Sequence, residues 1–176
     1  MWQQNFDKSN IEFKEPENEK ETKSGNYRKR SGSFDGQEEI VFKGRGPFSI
    51  SVTKAFDHNA FSMTFSLQVP RFKIIKFANG EQVACFLTVV SLNGVTFGFW
   101  KRHSDFNTLA SKLAENAKEF NNSLLSWQCL MNKKQWFRCL DKDYLALKCF
   151  LIERFMHDVL FESQEPNLLL NFFNLQ

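Results

Sequence analysis

Three consecutive side chains near the middle of the sequence have the chemistry of an anion-binding site. Lys101, Arg102 and His103 follow one another with no spacer, and Ser104 and Asp105 come directly after them. Ser and Asp are favoured residues at the start of a helix, where the backbone N–H groups add a partial positive charge. The sequence therefore predicts a binding site for an anionic group, with a phosphate as the best candidate.

The residues on either side predict how these cations are positioned. Val95, Phe97 and Phe99 alternate with their neighbours, which indicates a half-buried strand. Behind the cations, apolar residues recur at helical spacing from Phe106 to Leu113. We therefore expect the cations to lie where a strand ends and a helix begins.

Tight-turn dipeptides divide the first part of the folded region into strands. Asn79-Gly80 and Asn93-Gly94 each have the composition of a hairpin turn, and Pro70 is expected to end a strand. Together these signals predict an antiparallel meander of three main strands. The predicted strand segments are Phe48 to Val52, Phe61 to Val69, Phe72 to Phe77, Gln82 to Leu92 and Val95 to Phe99.

The second part of the folded region has helical patterns. A first helix is predicted from Asp105 to about Phe120, and Asn121-Asn122-Ser123 is expected to break it. Residues 124–138 show no clear periodicity. Asp141 is expected to cap a long helix, and Pro166 to open a short last one. The predicted fold class is α+β: a three-stranded antiparallel meander packed against a helical subdomain.

Residues 1–46 have the composition of a disordered tail, and residues 47–176 form the predicted domain. The tail is poor in aliphatic residues and contains nine basic and nine acidic ones. Ser33 lies in an R-x-R-x-x-S-F sequence, which basophilic protein kinases favour. Phosphorylation there would neutralise a basic patch. The alternative is a solvated linker whose serine is never modified.

Composition and motifs argue against several function classes. The formal net charge of +3 is too small for bulk nucleic-acid binding. The sequence contains no G-x-S-x-G, H-E-x-x-H or Gly-rich phosphate loop, so we predict no enzyme and no cofactor. Four cysteines without a C-x-x-C pair are expected to be buried thiols in a reducing compartment. The sequence has no apolar run long enough to span a bilayer, so any membrane contact is expected from the cytosolic side.

Two motifs resemble those of the PX (phox-homology) domains, which bind phosphoinositides. KRHSDF, from Lys101 to Phe106, is similar to the family's R-R-Y-S-D-F, and IERFM, from Ile152 to Met156, is similar to its L-E-x-Y-L. The resemblance covers roughly residues 65–175. It implies a PX-like fold and a membrane-targeting module that binds phosphatidylinositol 3-phosphate on endosomes, as a cytoplasmic peripheral membrane protein.

The resemblance also implies roles for individual residues. Arg102 matches the arginine that grips the ring 3-phosphate, Lys101 occupies the preceding basic position, and His103 stands where a tyrosine packs against the inositol. Lys133 or Lys134 corresponds to the lysine that reaches the bridging phosphate, and Lys148 to an arginine at the ring hydroxyls. The predicted phosphoinositide-binding set is Lys101, Arg102, His103, Lys133, Lys134 and Lys148.

A membrane-inserting segment is predicted around the lysine pair. Because tryptophan favours the membrane interface, the flanking apolar residues are expected to enter the bilayer: Trp127, Leu130, Met131, Trp136 and Phe137. The alternative is that Trp127 and Trp136 are core residues of a segment that folds inward. The family's P-x-x-P loop has no counterpart here, because residues 124–134 contain no proline. This departure keeps open a PX-like protein-interaction module with weak or no lipid binding.

Overall fold

Two hairpin turns set the register of an antiparallel sheet. The computed structural model describes residues 38–44, 52–58, 61–133 and 139–175. Gly80, Asn93 and Gly94 have positive φ values of 81°, 48° and 84°, as such turns require. Within the described ranges the strands are β1 (Glu38–Lys43), β2 (Thr53–His58), β3 (Phe61–Lys76), β4 (Gln82–Leu92) and β5 (Val95–Arg102).

The sheet differs from the three-stranded prediction at one edge. Strands β3, β4 and β5 pair consecutively, but β1 and β2 both pair with the other edge of β3, so the sheet has five strands among the described residues. β1 lies within the segment predicted to be disordered, and that prediction is wrong for residues 38–43. Its Ile40, Val41 and Phe42 pair with the far half of β3, a long-range contact that composition does not reveal.

Strand β3 continues through Pro70, where the sequence predicted an end. The pairing with β4 shifts between Gln68 and Arg71, so that two residues oppose one, as in a β-bulge. A bulge accommodates proline because the ladder is already interrupted there. The shift also changes which side chains face inward: Leu67 and Val69 are buried before it, and Phe72 after it.

β1 and β2 pair with different parts of β3, and side chains of the long helix bind the backbone of β3 between them. The described helices are α1 (His103–Ala114), α2 (Asn121–Asn132), α3 (Lys142–Glu162) and α4 (Asn167–Phe173). Glu153 of α3 accepts a 2.6 Å hydrogen bond from the backbone N–H of Val69. His157 Nε2 lies 2.9 Å from the carbonyl oxygen of Leu67. These contacts satisfy backbone groups that neither β1 nor β2 reaches, and they fix α3 against the sheet.

The core lies between the inner face of the sheet and the helices. Phe65, Phe72 and Phe86 of the sheet are fully buried, as are Ile152 and Phe155 of α3. The caps of α3 and the start of α4 confirm the prediction: Asp141 Oδ1 accepts from the Tyr144 N–H at 2.9 Å, and α4 begins directly after Pro166. The coarse fold prediction, α+β with an antiparallel sheet and a helical part, is therefore confirmed.

Two helix predictions were wrong. α1 ends at Ala114 rather than near Phe120. Residues 121–132 form α2, although Asn121-Asn122-Ser123 was expected only to end the first helix and residues 124–138 showed no clear periodicity. The start of α2 is stabilised from outside its own sequence, because Glu162 accepts hydrogen bonds from the N–H groups of Asn122 and Ser123.

Candidate anion-binding site

Lys101, Arg102 and His103 lie where β5 ends and α1 begins, but their side chains point in different directions. Lys101 and Arg102 are successive strand residues, which project to opposite faces of a sheet. His103 is the first residue of α1. Each of the three therefore has a different environment.

Lys101 is directed to the inner face and contacts the last turn of α4. Its ammonium donates a 2.7 Å hydrogen bond to the carbonyl oxygen of Phe172 and lies 4.7 Å from the centroid of that ring. Burial lowers the pKa of Lys101, and the charge of Asp105 opposes that shift. A cation at a helix C-terminus is favourable, so this contact holds Lys101 against α4, and the headgroup role of Lys101 stays a prediction.

Arg102 is exposed and lies on the outer face of the sheet, opposite Cys85 of β4. Arg102 pairs with Cys85 across β4 and β5, and Lys73 of β3 pairs with Cys85 from the other side. Burial raises the pKa of the Cys85 thiol, while the charges of Arg102 and Lys73 lower it. The two cations therefore flank one thiol.

His103 packs among aromatic rings. It is half-buried, and its ring centroid lies 5.3 Å from that of Trp127. Trp127 in turn lies 5.0 Å from the ring centroid of Phe155. His103 therefore links the start of α1 to α2 and α3.

Two further lysines of the predicted binding set, Lys133 and Lys148, lie toward one end of the α2–α3 pair. α2 and α3 are antiparallel, since Ser123 contacts Glu162 and Trp127 contacts Phe155. Lys133 is exposed at the C-terminal end of α2, about 9 Å along the helix axis from Trp127. Lys148 is half-buried on α3, with its ammonium 5.4 Å from the Tyr144 ring centroid, and lies about 10 Å along the axis from Phe155.

The described members of the predicted membrane-inserting set pack toward the protein interior. Trp127 is 8% exposed and Leu130 1%, and both belong to the core. Met131 is half-buried and packs against the core. The prediction that Trp127 and Leu130 enter a bilayer is therefore wrong, because α2 turns them toward α3. The alternative that Trp127 is a core residue is confirmed.

Several predicted positions lie outside the described residues. These are Lys134, Trp136, Phe137 and Ser33, together with residues 1–37 and 45–46 of the predicted tail and residues 48–51 of the first predicted strand.

The cysteines do not all fit the expectation of buried thiols. Cys85 and Cys149 are buried, and burial raises the pKa of Cys149 to about 12. Cys139 is half-buried, and Cys129 is exposed on α2. In the part of the chain that the structure describes, no group of three or more His, Cys, Asp or Glu side chains is placed to hold a metal ion. No helix in that part is long and apolar enough to cross a bilayer.

Lys73 is the basic neighbour of Arg102 that sequence reasoning missed. The Asn79-Gly80 turn sets Lys73 opposite Cys85, and the Asn93-Gly94 turn sets Cys85 opposite Arg102. Counting residue pairs along the strands from the two turns would have predicted that Lys73, Cys85 and Arg102 lie side by side across β3, β4 and β5.

Comparison of the chain with protein-family models, with curated proteins and with solved structures found no match. The resemblance to PX domains therefore stays a prediction from the sequence motifs.

Proposed function

We propose that this chain is a PX-like module that binds a phosphoinositide, with phosphatidylinositol 3-phosphate as the first candidate, and so targets endosomal membranes. The observation that carries the proposal is the exposed position of Arg102 immediately before α1. A guanidinium group at this junction has the planar fork that engages two phosphate oxygens. The order of the elements also supports it: three consecutive antiparallel strands precede Arg102 and four described helices follow it.

The affinity of such a site is modest. Lys101 is engaged by α4, and Trp127 and Leu130 are buried. Arg102 projects to the outer face of the sheet, whereas Lys133 and Lys148 lie on helices that pack against the inner face. One charge-assisted contact from Arg102, worth about 2 kcal/mol, corresponds to a Kd of about 30 mM. Stable membrane residence then requires a second contact, from the same chain or from an assembly that contains several copies.

Sedimentation with liposomes tests this proposal. Wild-type protein, Arg102→Gln and the exposed control Lys118→Gln are each mixed with vesicles with and without phosphatidylinositol 3-phosphate. We expect lipid-dependent pelleting of the wild type and of Lys118→Gln, and its loss in Arg102→Gln. Equal pelleting of Arg102→Gln would contradict the site, provided that circular dichroism shows all three proteins folded.

A protein-interaction module is the second candidate function. A groove of about 260 Å³ lies beside α3, lined by apolar and charged side chains: Val52, Phe150, Glu153, Arg154, His157, Asp158 and Phe161. Phe161 is 55% exposed at this groove, and exposed aromatic groups are common at protein interfaces. Binding to a partner that persists in Arg102→Gln would favour this function.

A further inference from the structure

The outer face of the sheet carries basic side chains on three of its strands. Phe72 and Phe86 are buried on the inner face, so their strand neighbours project outward. One cross-strand row contains Lys43, Arg71, Leu87 and Trp100, and the next contains Val41, Lys73, Cys85 and Arg102. We call the set Lys43, Arg71, Leu87, Trp100, Lys73 and Arg102 the basic sheet face.

Cations outnumber carboxylates on the basic sheet face. Among the residues that the structure describes, two carboxylates lie beside its four basic side chains, Glu39 and Asp105, and each of them has a partner. Glu39 lies 2.9 Å from the ammonium of Lys73, and Asp105 accepts a 2.8 Å hydrogen bond from the backbone N–H of Arg102. Lys43, Arg71 and Arg102 are exposed. The face therefore attracts an anionic partner.

An apolar strip adjoins two groups of cations, which are Lys43, Arg71 and Lys73 on β1 and β3 and Arg102 on β5. Trp100 is 38% exposed, and its cross-strand neighbour Leu87 is half-buried. The ammonium of Lys73 lies 4.6 Å from the centroid of the Trp100 ring, a cation–π arrangement. Tryptophan and arginine are enriched in protein interfaces. The surface thus combines charge with an apolar centre.

We propose that the basic sheet face binds an acidic peptide segment of a partner protein, a function beyond headgroup recognition. Arg71 and Arg102 lie two strands apart, about 10 Å across the sheet. In an extended peptide, side chains on one side recur about every 7 Å. Two carboxylates four residues apart therefore reach both groups of cations, and an apolar side chain midway between them, on the same side of the peptide, covers Trp100.

The position of Trp100 favours a peptide over a bilayer. The indole lies within a strand and beneath the ammonium of Lys73, and the longer side chains of Arg71 and Arg102 flank the apolar strip. A peptide reaches the Trp100 ring with an apolar side chain of its own, whereas insertion into a bilayer would require the indole to reach past the cations around it.

Fluorescence anisotropy with the full chain tests the proposal. The probe is a labelled peptide that repeats Glu-Ser-Val-Ser, which places glutamate and valine on the same side of an extended chain, and the matched control probe has glutamine in place of each glutamate. We expect the glutamate peptide to bind and the glutamine peptide not to bind. Lys43→Glu should raise the Kd by about fivefold, because it replaces an attractive contact with a repulsive one, whereas Lys118→Glu should leave it unchanged.

Trp100 provides an independent signal. Because other tryptophans also emit, the change in emission on peptide addition is measured for wild type and for Trp100→Phe. We expect a change that Trp100→Phe removes. A change that persists in Trp100→Phe, no binding of the glutamate peptide, or equal effects of Lys43→Glu and Lys118→Glu would each overturn the proposal.

The outcome is separable from that of the headgroup proposal. Lys43→Glu should retain Arg102-dependent binding to phosphatidylinositol 3-phosphate vesicles while its Kd for the glutamate peptide rises about fivefold. If Lys43→Glu instead loses binding to phosphatidylserine vesicles and the wild type does not bind the peptide, the face contacts membrane and the peptide proposal is wrong.

Discussion

Glu162 near the end of α3 stabilises the start of α2 through Ser123. Its Oε2 accepts hydrogen bonds from the Ser123 N–H at 2.9 Å and from the Ser123 hydroxyl at 2.6 Å, and its Oε1 accepts from the Asn122 N–H at 2.8 Å. The first N–H groups of a helix have no partner within the helix. Glu162 thus acts as an N-terminal cap that arrives from a distant part of the chain.

Glu162→Gln should lower the free energy of unfolding by about 1 kcal/mol, the usual value of a helix cap. Burial raises the pKa of Glu162, but the hydrogen bonds from Ser123 and Asn122 outweigh it, so that the pKa lies below its usual value. The wild type should therefore lose this stabilisation as the pH falls from the ordinary glutamate range, about pH 4.3, through the lower folded-state pKa.

Urea denaturation of wild type and Glu162→Gln from pH 7 to pH 3 measures this effect. The two proteins should differ in stability at pH 7 and converge at low pH, where both side chains are neutral. A difference that stays constant across this range would show that the charge of Glu162 contributes nothing to the cap.

Gly44→Ala should destabilise the protein by about 1–3 kcal/mol. A Cβ at this position would lie 2.9 Å from Cys149 Cβ and 3.1 Å from the carbonyl oxygen of Pro70, so β1 or α3 must shift. Gly98→Ala is the matched control, because its Cβ would meet Leu87 Cδ1 at an ordinary 3.5 Å. Thermal unfolding of both variants checks the prediction, and equal melting temperatures would refute the close approach of residue 44 to α3.

Trp127→Ala should cost about 3–5 kcal/mol, as for other large-to-small changes in a core. The indole is nearly fully buried between His103 and Phe155. Leu125, which is 50% exposed on the same helix, is the control, and Leu125→Ala should change stability little. Chemical denaturation measures both. A Trp127→Ala protein of wild-type stability with weaker liposome binding would instead restore the membrane-insertion hypothesis.

Lys101→Met should weaken the attachment of α4 without affecting headgroup binding. The substitution keeps the apolar stem but removes the donor to the Phe172 carbonyl, which should cost about 1 kcal/mol. Hydrogen exchange should show faster exchange in α4, while binding to phosphatidylinositol 3-phosphate vesicles stays at the wild-type level. Lost vesicle binding with unchanged exchange in α4 would contradict this assignment.

Local sequence patterns were sufficient to predict the turns and helix starts that are determined by residues within a few positions of them. The turn dipeptides set β4 and the hairpin registers, Asp141 marked the start of α3, and Pro166 marked that of α4. Backbone conformation there depends on neighbouring residues: glycine permits positive φ, and aspartate bonds an N–H three residues ahead. These signals persist in any tertiary arrangement.

Only the tertiary structure decided the features that depend on distant partners. α2 begins at an asparagine pair because Glu162 supplies its cap, and β1 is a strand because β3 offers it an edge. The same holds for the site. Lys101 and Arg102 are adjacent in the sequence, but side chains of a strand alternate between its two faces. Lys101 therefore contacts α4 on the inner face, and Arg102 lies on the outer face with Lys73 and Cys85. Adjacency along the chain does not determine which face a side chain meets, because that depends on what packs against each face of the sheet.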